Sequence, residues 1–155
     1  MPVPRPRGRY FEEFAVGDKI LTTARTVTEA DIVTFAGLSG DFNQIHIDAE
    51  FAGGTPFKAR VAHGLLGLSI ASGLAVQTGF MEQTVMAFRE IDEWKFSTPI
   101  YIGDTIHVEM EVLELRALPR LGGGSLVIAL DVKNQKGETT QKGKWTVLIQ
   151  GKPKE

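Results

Sequence analysis

Two periodicities divide the chain. Ile106, Val108, Met110 and Val112 alternate with His107, Glu109 and Glu111, and Leu126, Ile128, Leu130 and Val132 repeat the pattern after Gly122-Gly123-Gly124. Alternation of this kind marks strands with one face buried. Val85 to Phe96 reads as another strand that ends before Pro99, and a last strand holds Trp145, Val147 and Ile149 after the turn residues Asn134 to Gly137. In the first half, Lys19 to Val27 predicts a strand introduced by the Gly17-Asp18 turn. Thr28 reads as an N-cap, and Thr28-x-x-Asp31 approximates a capping box. Ile32, Phe35, Ala36 and Ser39 follow at helical spacing, with Gly37 or Gly40 to end the short helix. From Gly64 to about Thr78 runs a segment that is apolar nearly all round, which predicts a buried helix. One greasy helix and a series of half-buried strands predict an α+β fold, with one curved antiparallel sheet wrapped around the helix.

Composition narrows the class. A chain of 155 residues builds one domain, and at this size about 68–70% of the unfolded surface is buried, so the core needs no metal or disulfide staple. The absence of cysteine excludes a disulfide framework, a thiol nucleophile and thiolate metal sites. Seventeen Lys and Arg against nineteen Asp and Glu give a net charge of −2, unlike the basic balance of a general nucleic-acid binder. Residues 1–9, rich in Pro and Arg with no apolar stretch behind them, read as a flexible arm rather than a targeting peptide, and residues 10–150 as the domain. The longest apolar run is too short and too rich in Gly and Ser to span a membrane, so a soluble cytoplasmic protein is expected.

Three segments carry candidate chemistry. In Gly40-Asp41-Phe42-Asn43-Gln44-Ile45-His46, Asp41 and His46 converge only if the segment is an irregular folded loop. A carboxylate and an imidazole facing one water form an acid–base pair. Read from spacing alone, the segment favours Asp41 as a turn aspartate and His46 as a half-buried structural histidine. His63-Gly64 opens the buried helix, where unpaired N–H groups and the positive dipole end suit an oxyanion; a packing glycine explains it as well. His63 itself reads as a local hydrogen-bonding partner. Ser72, eight residues past Gly64, lies near the same helix face, although a buried helical serine usually bonds a preceding carbonyl, and the same holds for Ser69. His46, His63 and His107 lack metal-ligand spacing, so no metal is expected. Gly122-Gly123-Gly124 does not lead from a strand into a helix and reads as a hairpin loop, not a phosphate cradle.

The stretch from Phe35 to Asp48 resembles the signature of the MaoC-like, (R)-specific enoyl-CoA hydratases, the hydratase 2 group. Val61-Ala62-His63-Gly64-Leu65-Leu66, Pro99-Ile100-Tyr101-Ile102-Gly103-Asp104-Thr105 and Tyr10 to Asp18 are similar to further blocks of that family. The resemblance implies a hotdog fold, with Asp41 and His46 as the catalytic pair, the Gly64 amide as oxyanion donor, Ser72 positioning Asp41 and Asn43 bracing the loop. Gln44 stands where the family commonly has proline, which removes a fixed φ and adds an N–H. The implied reaction is reversible hydration of a trans-2-enoyl thioester to an (R)-3-hydroxyacyl thioester. Coenzyme A enters as part of the substrate, with no separate cofactor. The family usually pairs subunits edge to edge, so a homodimer or larger homo-oligomer is expected. A hotdog acyl-CoA thioesterase and a non-catalytic acyl-thioester binding module are the alternatives; free thiol release would mark the first, and saturable binding without turnover the second.

Overall fold

A computed structural model describes residues 1–4 and 6–154. In chain order the elements are β1 (Lys19–Leu21), β2 (Arg25–Thr26), α1 (Glu29–Ser39), α2 (Gln44–Ile47), α3 (Ala49–Gly53), α4 (Gly64–Gln77), β3 (Val85–Phe96), β4 (Thr105–Leu118), β5 (Gly123–Lys133) and β6 (Thr139–Gln150). The sheet is antiparallel with order β1-β4-β5-β6-β3, and β2 also pairs with β4.

The alternating residues do what their period dictates. Ile106, Val108, Met110 and Val112 on β4, Leu126, Ile128, Leu130 and Val132 on β5, and Trp145, Val147 and Ile149 on β6 are all buried. They form one cluster with Leu66, Ile70, Ala71, Leu74 and Ala75 of α4. Each fully buried large aliphatic chain stabilises the fold by about 1.5–3 kcal/mol relative to exposure, so this single layer between helix and sheet dominates folding. The architecture is the expected α+β arrangement of a curved sheet around a long helix.

Local signals also hold. Thr28 and Asp31 form the reciprocal capping box, with the Asp31 N–H donating to Thr28 Oγ1 at 3.2 Å and the Thr28 N–H to Asp31 Oδ2 at 2.9 Å. Of the two glycines offered as the end of α1, Gly40 does it, at φ 78°, with its N–H returning to Ala36 O. Asn134 organises the last hairpin by accepting from the Lys136 and Glu138 N–H groups.

Four expectations need correction. The strand from Lys19 to Val27 is two short strands, because at Thr22 the side-chain hydroxyl takes over the Val108 N–H at 2.9 Å and the ladder breaks. Of the three consecutive glycines only Gly122 is in the turn, at φ 70°; Gly123 and Gly124 belong to β5, where a Cβ would strike Ile149 O and the Phe11 ring. The segment 1–9 is tied down at its end: Gly8 and Arg9 donate backbone bonds to Glu82 O and Phe80 O at 2.8 and 3.0 Å, and Arg7 pairs with Glu13. Finally, α4 is not covered all round. Leu65 (60% exposed), Ser69, Gly73 and Val76 (48%) form an open stripe, since a sheet wraps only one side of a rod.

Candidate active site

Chain reversal at Gly40 delivers Asp41 into a short loop that its own side chains stabilise. The Asp41 N–H donates to Ser39 Oγ at 3.1 Å, and Asp41 Oδ1 accepts from the Asn43 N–H at 3.2 Å. Asn43 then caps α2, its Oδ1 accepting from the Ile45 N–H at 3.2 Å. The irregular segment is therefore shorter than expected, and His46 sits on one helical turn, buried to 7% exposure. Gln44, where the resemblance expects proline, is the first residue of that turn. A proline is tolerated at that position because its N–H has no intrahelical partner.

His46 is held from two sides. Its Nδ1 lies 2.7 Å from Val61 O, and since a carbonyl only accepts, Nδ1 carries the proton. In the neutral ring Nε2 is then an unshared lone pair, 4.0 Å from Asp41 Oδ2. Arg60 donates from Nε to His46 O at 2.7 Å and also pairs with Glu29 of α1. The loop segment carrying Val61 and Ala62 is fixed in turn by backbone bonds to Ile45 and Ile100.

His63 lies beneath this pair, 3% exposed. Its Nε2 is 2.9 Å from the Asp41 carbonyl, which makes Nε2 the donor, and its ring stacks on His46 at 3.8 Å between centroids with Phe35 on the other side. Nδ1 of His63 is buried without a partner. Donor atoms of Asp41, His46 and His63 lie within 4.8 Å of one another, as a metal chelate would require. The His46 and His63 rings stack, inclined by 26°, and each already holds a carbonyl through one nitrogen, His46 Nδ1 on Val61 O and His63 Nε2 on Asp41 O. The cluster fits a stacked support for Asp41 better than a chelate.

Gly64 is the first residue of α4, so its N–H has no intrahelical acceptor and stands at the positive end of the helix. A Cβ there would approach the Phe96 ring to 2.7 Å, so the glycine admits Phe96 against the helix end. A cavity of about 550 Å³ opens at this point, walled by His46, Gly64, Ile45, Phe57, Leu65 and Phe96, with Thr140 and Gln141 also contributing. The Tyr101 hydroxyl donates to Phe57 O at 2.9 Å and anchors that wall. On that wall Thr140 Oγ1 donates to Val132 O and Gln141 Nε2 donates one hydrogen to Gly64 O. The interior thus offers a mainly apolar lining with one imidazole and one helix end, and with Ser97 and Thr98 also on its wall. A cleft of similar size on the outer sheet face is lined mainly by opposed charges such as Lys19, Glu109, Asp131 and Lys142, which suits solvent.

The structure brings together Asp41, Asn43, His46, His63 and Gly64, with the Asp41 carboxylate half exposed. It does not bring in Ser72. Eight residues along α4 raise it about 12 Å above Gly64, and among the described residues it makes no hydrogen bond, whereas Ser69 bonds Leu65 O as a helical serine usually does. His107, on β4, pairs with Glu109 away from the site. Sequence reasoning missed Phe57, Arg60, Phe96 and Gln141. For Gln141 a signal existed: counting back by twos from Ile149, Val147 and Trp145 puts it on the inward face of β6.

A model of the MaoC-like domain matches residues 12–123. Protein MaoC of Klebsiella aerogenes is 44% identical over 105 residues, covering 68% of this chain and 31% of that protein, so the chain spans about a third of that relative. An (R)-specific enoyl-CoA hydratase of Rhodospirillum rubrum is 36% identical over 106 residues, 68% of this chain and 71% of that protein. A solved structure described as a monoamine oxidase regulatory protein from Archaeoglobus fulgius superposes with a TM-score of 0.89 at 40% identity, covering 96% of this chain and 98% of that one. The fold shared with such neighbours is the hotdog fold.

Proposed function

The chain belongs to the MaoC-like domain family, and from that premise we propose that it is a hydro-lyase adding water reversibly to a trans-2-enoyl thioester, yielding an (R)-3-hydroxyacyl-CoA. The observation that carries the reading is the 4.0 Å gap between Asp41 Oδ2 and His46 Nε2, with His46 itself walling a mainly apolar cavity that also takes in Gly64 at the start of α4. Two hydrogen bonds of about 2.8 Å meeting at one oxygen leave their far ends roughly 4–4.5 Å apart, so the gap has the width of one shared water.

The chemistry follows from the tautomer. Val61 O holds the His46 proton on Nδ1, which leaves Nε2 as the base. Asp41 accepts the water's other hydrogen and aims its lone pair at C3. As the hydroxyl adds to C3, Nε2 takes a proton, the double bond shifts toward the carbonyl, and negative charge gathers on the thioester oxygen. The Gly64 N–H and the helix dipole meet that charge. The proton borne by His46 then passes to C2, completing addition of H and OH; the reverse sequence is dehydration. Coenzyme A is part of the substrate, and the sequence of steps needs no further cofactor.

The same reading assigns a homodimer. β3 is an edge strand with Val85, Met86, Phe88, Ile91 and Phe96 exposed, and α4 carries its open stripe. An apolar edge of that length invites pairing with a second copy. Among the described residues no helix is long and apolar enough to cross a membrane. The deciding assay follows loss of enoyl absorbance with short, medium and branched trans-2-enoyl-CoAs and determines product chirality. Formation of the (R)-3-hydroxyacyl-CoA supports the proposal; release of free thiol without hydration, or binding without turnover of any substrate, refutes it.

A further inference from the structure

Gln141 is a polar side chain in a core position, 2% exposed on the sheet's inner face in line with Trp145 and Val147. Both ends of its amide are engaged. Oε1 accepts from Trp94 Nε1 on β3 at 3.2 Å, and Nε2 donates to Gly64 O at 3.0 Å. The helix is notched to receive it: a Cβ on Gly67 would overlap Gln141 Nε2 and come within 2.8 Å of Ile100 Cδ1. A glycine inside α4 lowers helix propensity, and a buried amide forfeits hydration. An alanine against a leucine would stabilise this contact with neither disadvantage. What the arrangement secures instead is the orientation of the first turn of α4, because the Gly64 carbonyl is pinned to the sheet.

Resting on the hydratase reading, we infer that Gln141 is a positioning residue for the oxyanion donor. Wedged into the Gly67 notch and oriented by the Trp94 indole, it fixes the leading turn of α4 so that the Gly64 N–H points at the thioester oxygen. With Oε1 held by Trp94 and one Nε2 hydrogen by Gly64 O, it is assigned to act through the helix end. Misplacement of a reacting group by about 1 Å lowers rate by up to 10²-fold, and outright loss of an oxyanion donor by about 10²–10³. A loosened donor falls toward the lower end.

The test uses the full chain with trans-2-butenoyl-CoA as substrate and butanoyl-CoA as a saturated, unreactive ligand. Gln141→Met keeps the length and loses both hydrogen bonds. Gly67→Ala keeps every polar group and expels the amide from its notch. Each is expected to lower kcat by about 10–100-fold, with KM and the butanoyl-CoA Kd within about threefold of wild type, and the double variant to lose little more than either single one. Trp94→Phe, which frees Oε1, is expected to move kcat in the same direction by less. If Gln141→Met does not fold, Gly67→Ala decides. An active wild type whose variants keep kcat, or whose KM rises while kcat stands, overturns the positioning role and leaves the hydratase reading intact. A wild type that hydrates no enoyl thioester overturns both.

Discussion

Gly64→Ala tests how the cavity is closed over the helix end. The new Cβ would sit 2.7 and 2.8 Å from two carbons of the Phe96 ring, where ordinary contact begins near 3.4 Å. The overlap forces the ring aside. Crowding of this kind costs about 1–3 kcal/mol in a packed core; Phe96 is 57% exposed, so the lower end applies. Against it stands the gain of about 0.4–1 kcal/mol when an alanine replaces a glycine in a conformation it can adopt. The net expectation is a change between zero and about 1 kcal/mol destabilising. In a Phe96→Ala background the clash is gone, and the same substitution should stabilise by about 0.4–1 kcal/mol. The difference between the two backgrounds is the crowding cost itself, a coupling of about 1 kcal/mol in a double-mutant cycle measured by urea unfolding. Additive effects, with Gly64→Ala stabilising in both backgrounds, would refute the packing described for this wall.

Three further outcomes are expected. Gly37→Ala, in an exposed turn of α1 with nothing within 4 Å of the added carbon, should raise stability by about 0.4–1 kcal/mol in urea unfolding. Glu13 is held at about 2, first by the Arg7 side chain and then by the Tyr10 N–H. A carboxyl lowered in the folded state adds stability above the ordinary range near 4.3 and loses it as pH falls toward 2. Wild type should therefore exceed Glu13→Gln in urea midpoint at neutral pH, the gap closing through that window; a gap that widens in acid contradicts the ion pair. Wild type should be the proposed dimer in solution scattering at micromolar concentration and Phe88→Glu on the open edge a monomer; a monomeric wild type, or a variant that stays dimeric, contradicts pairing through this edge.

The sheet and the central helix were legible because burial on one face imposes a period, and the strands from Ile106 onward carry it without interruption. α1 was legible from its caps, since Thr28, Asp31 and Gly40 each satisfy a specific backbone need. What failed was whatever depends on neighbours distant in sequence. The break at Thr22 comes from a hydroxyl that displaces a ladder bond to Val108, and the fixing of Gly8 and Arg9 from carbonyls some seventy residues on. The apolar circumference of α4 reads as full burial, yet one stripe is open because the sheet covers only one side of the helix. At the site, the resemblance placed Asp41, His46 and Gly64 in one neighbourhood, while spacing alone left turn and core readings standing. His63 as a hydrogen-bonding partner was legible locally, but its stacking on His46 was not. Gln141 was not legible because a lone amide in a strand belongs to no motif, and its match to Gly67 of α4 is a contact between residues distant in sequence. Ser72 rested on its helical register with Gly64 and on the resemblance, and within one chain it has no bond to Asp41.

The central claim is that Asp41 and His46 work as one unit on a shared water. Its most direct measurement is kcat for hydration by Asp41→Asn, His46→Ala and the double variant, each confirmed folded by thermal unfolding. Each single variant should lose on the order of 10²–10⁴ in rate, and the double variant little more than the worse single one. Wild-type turnover in either single variant, or losses that multiply in the double, would contradict the account.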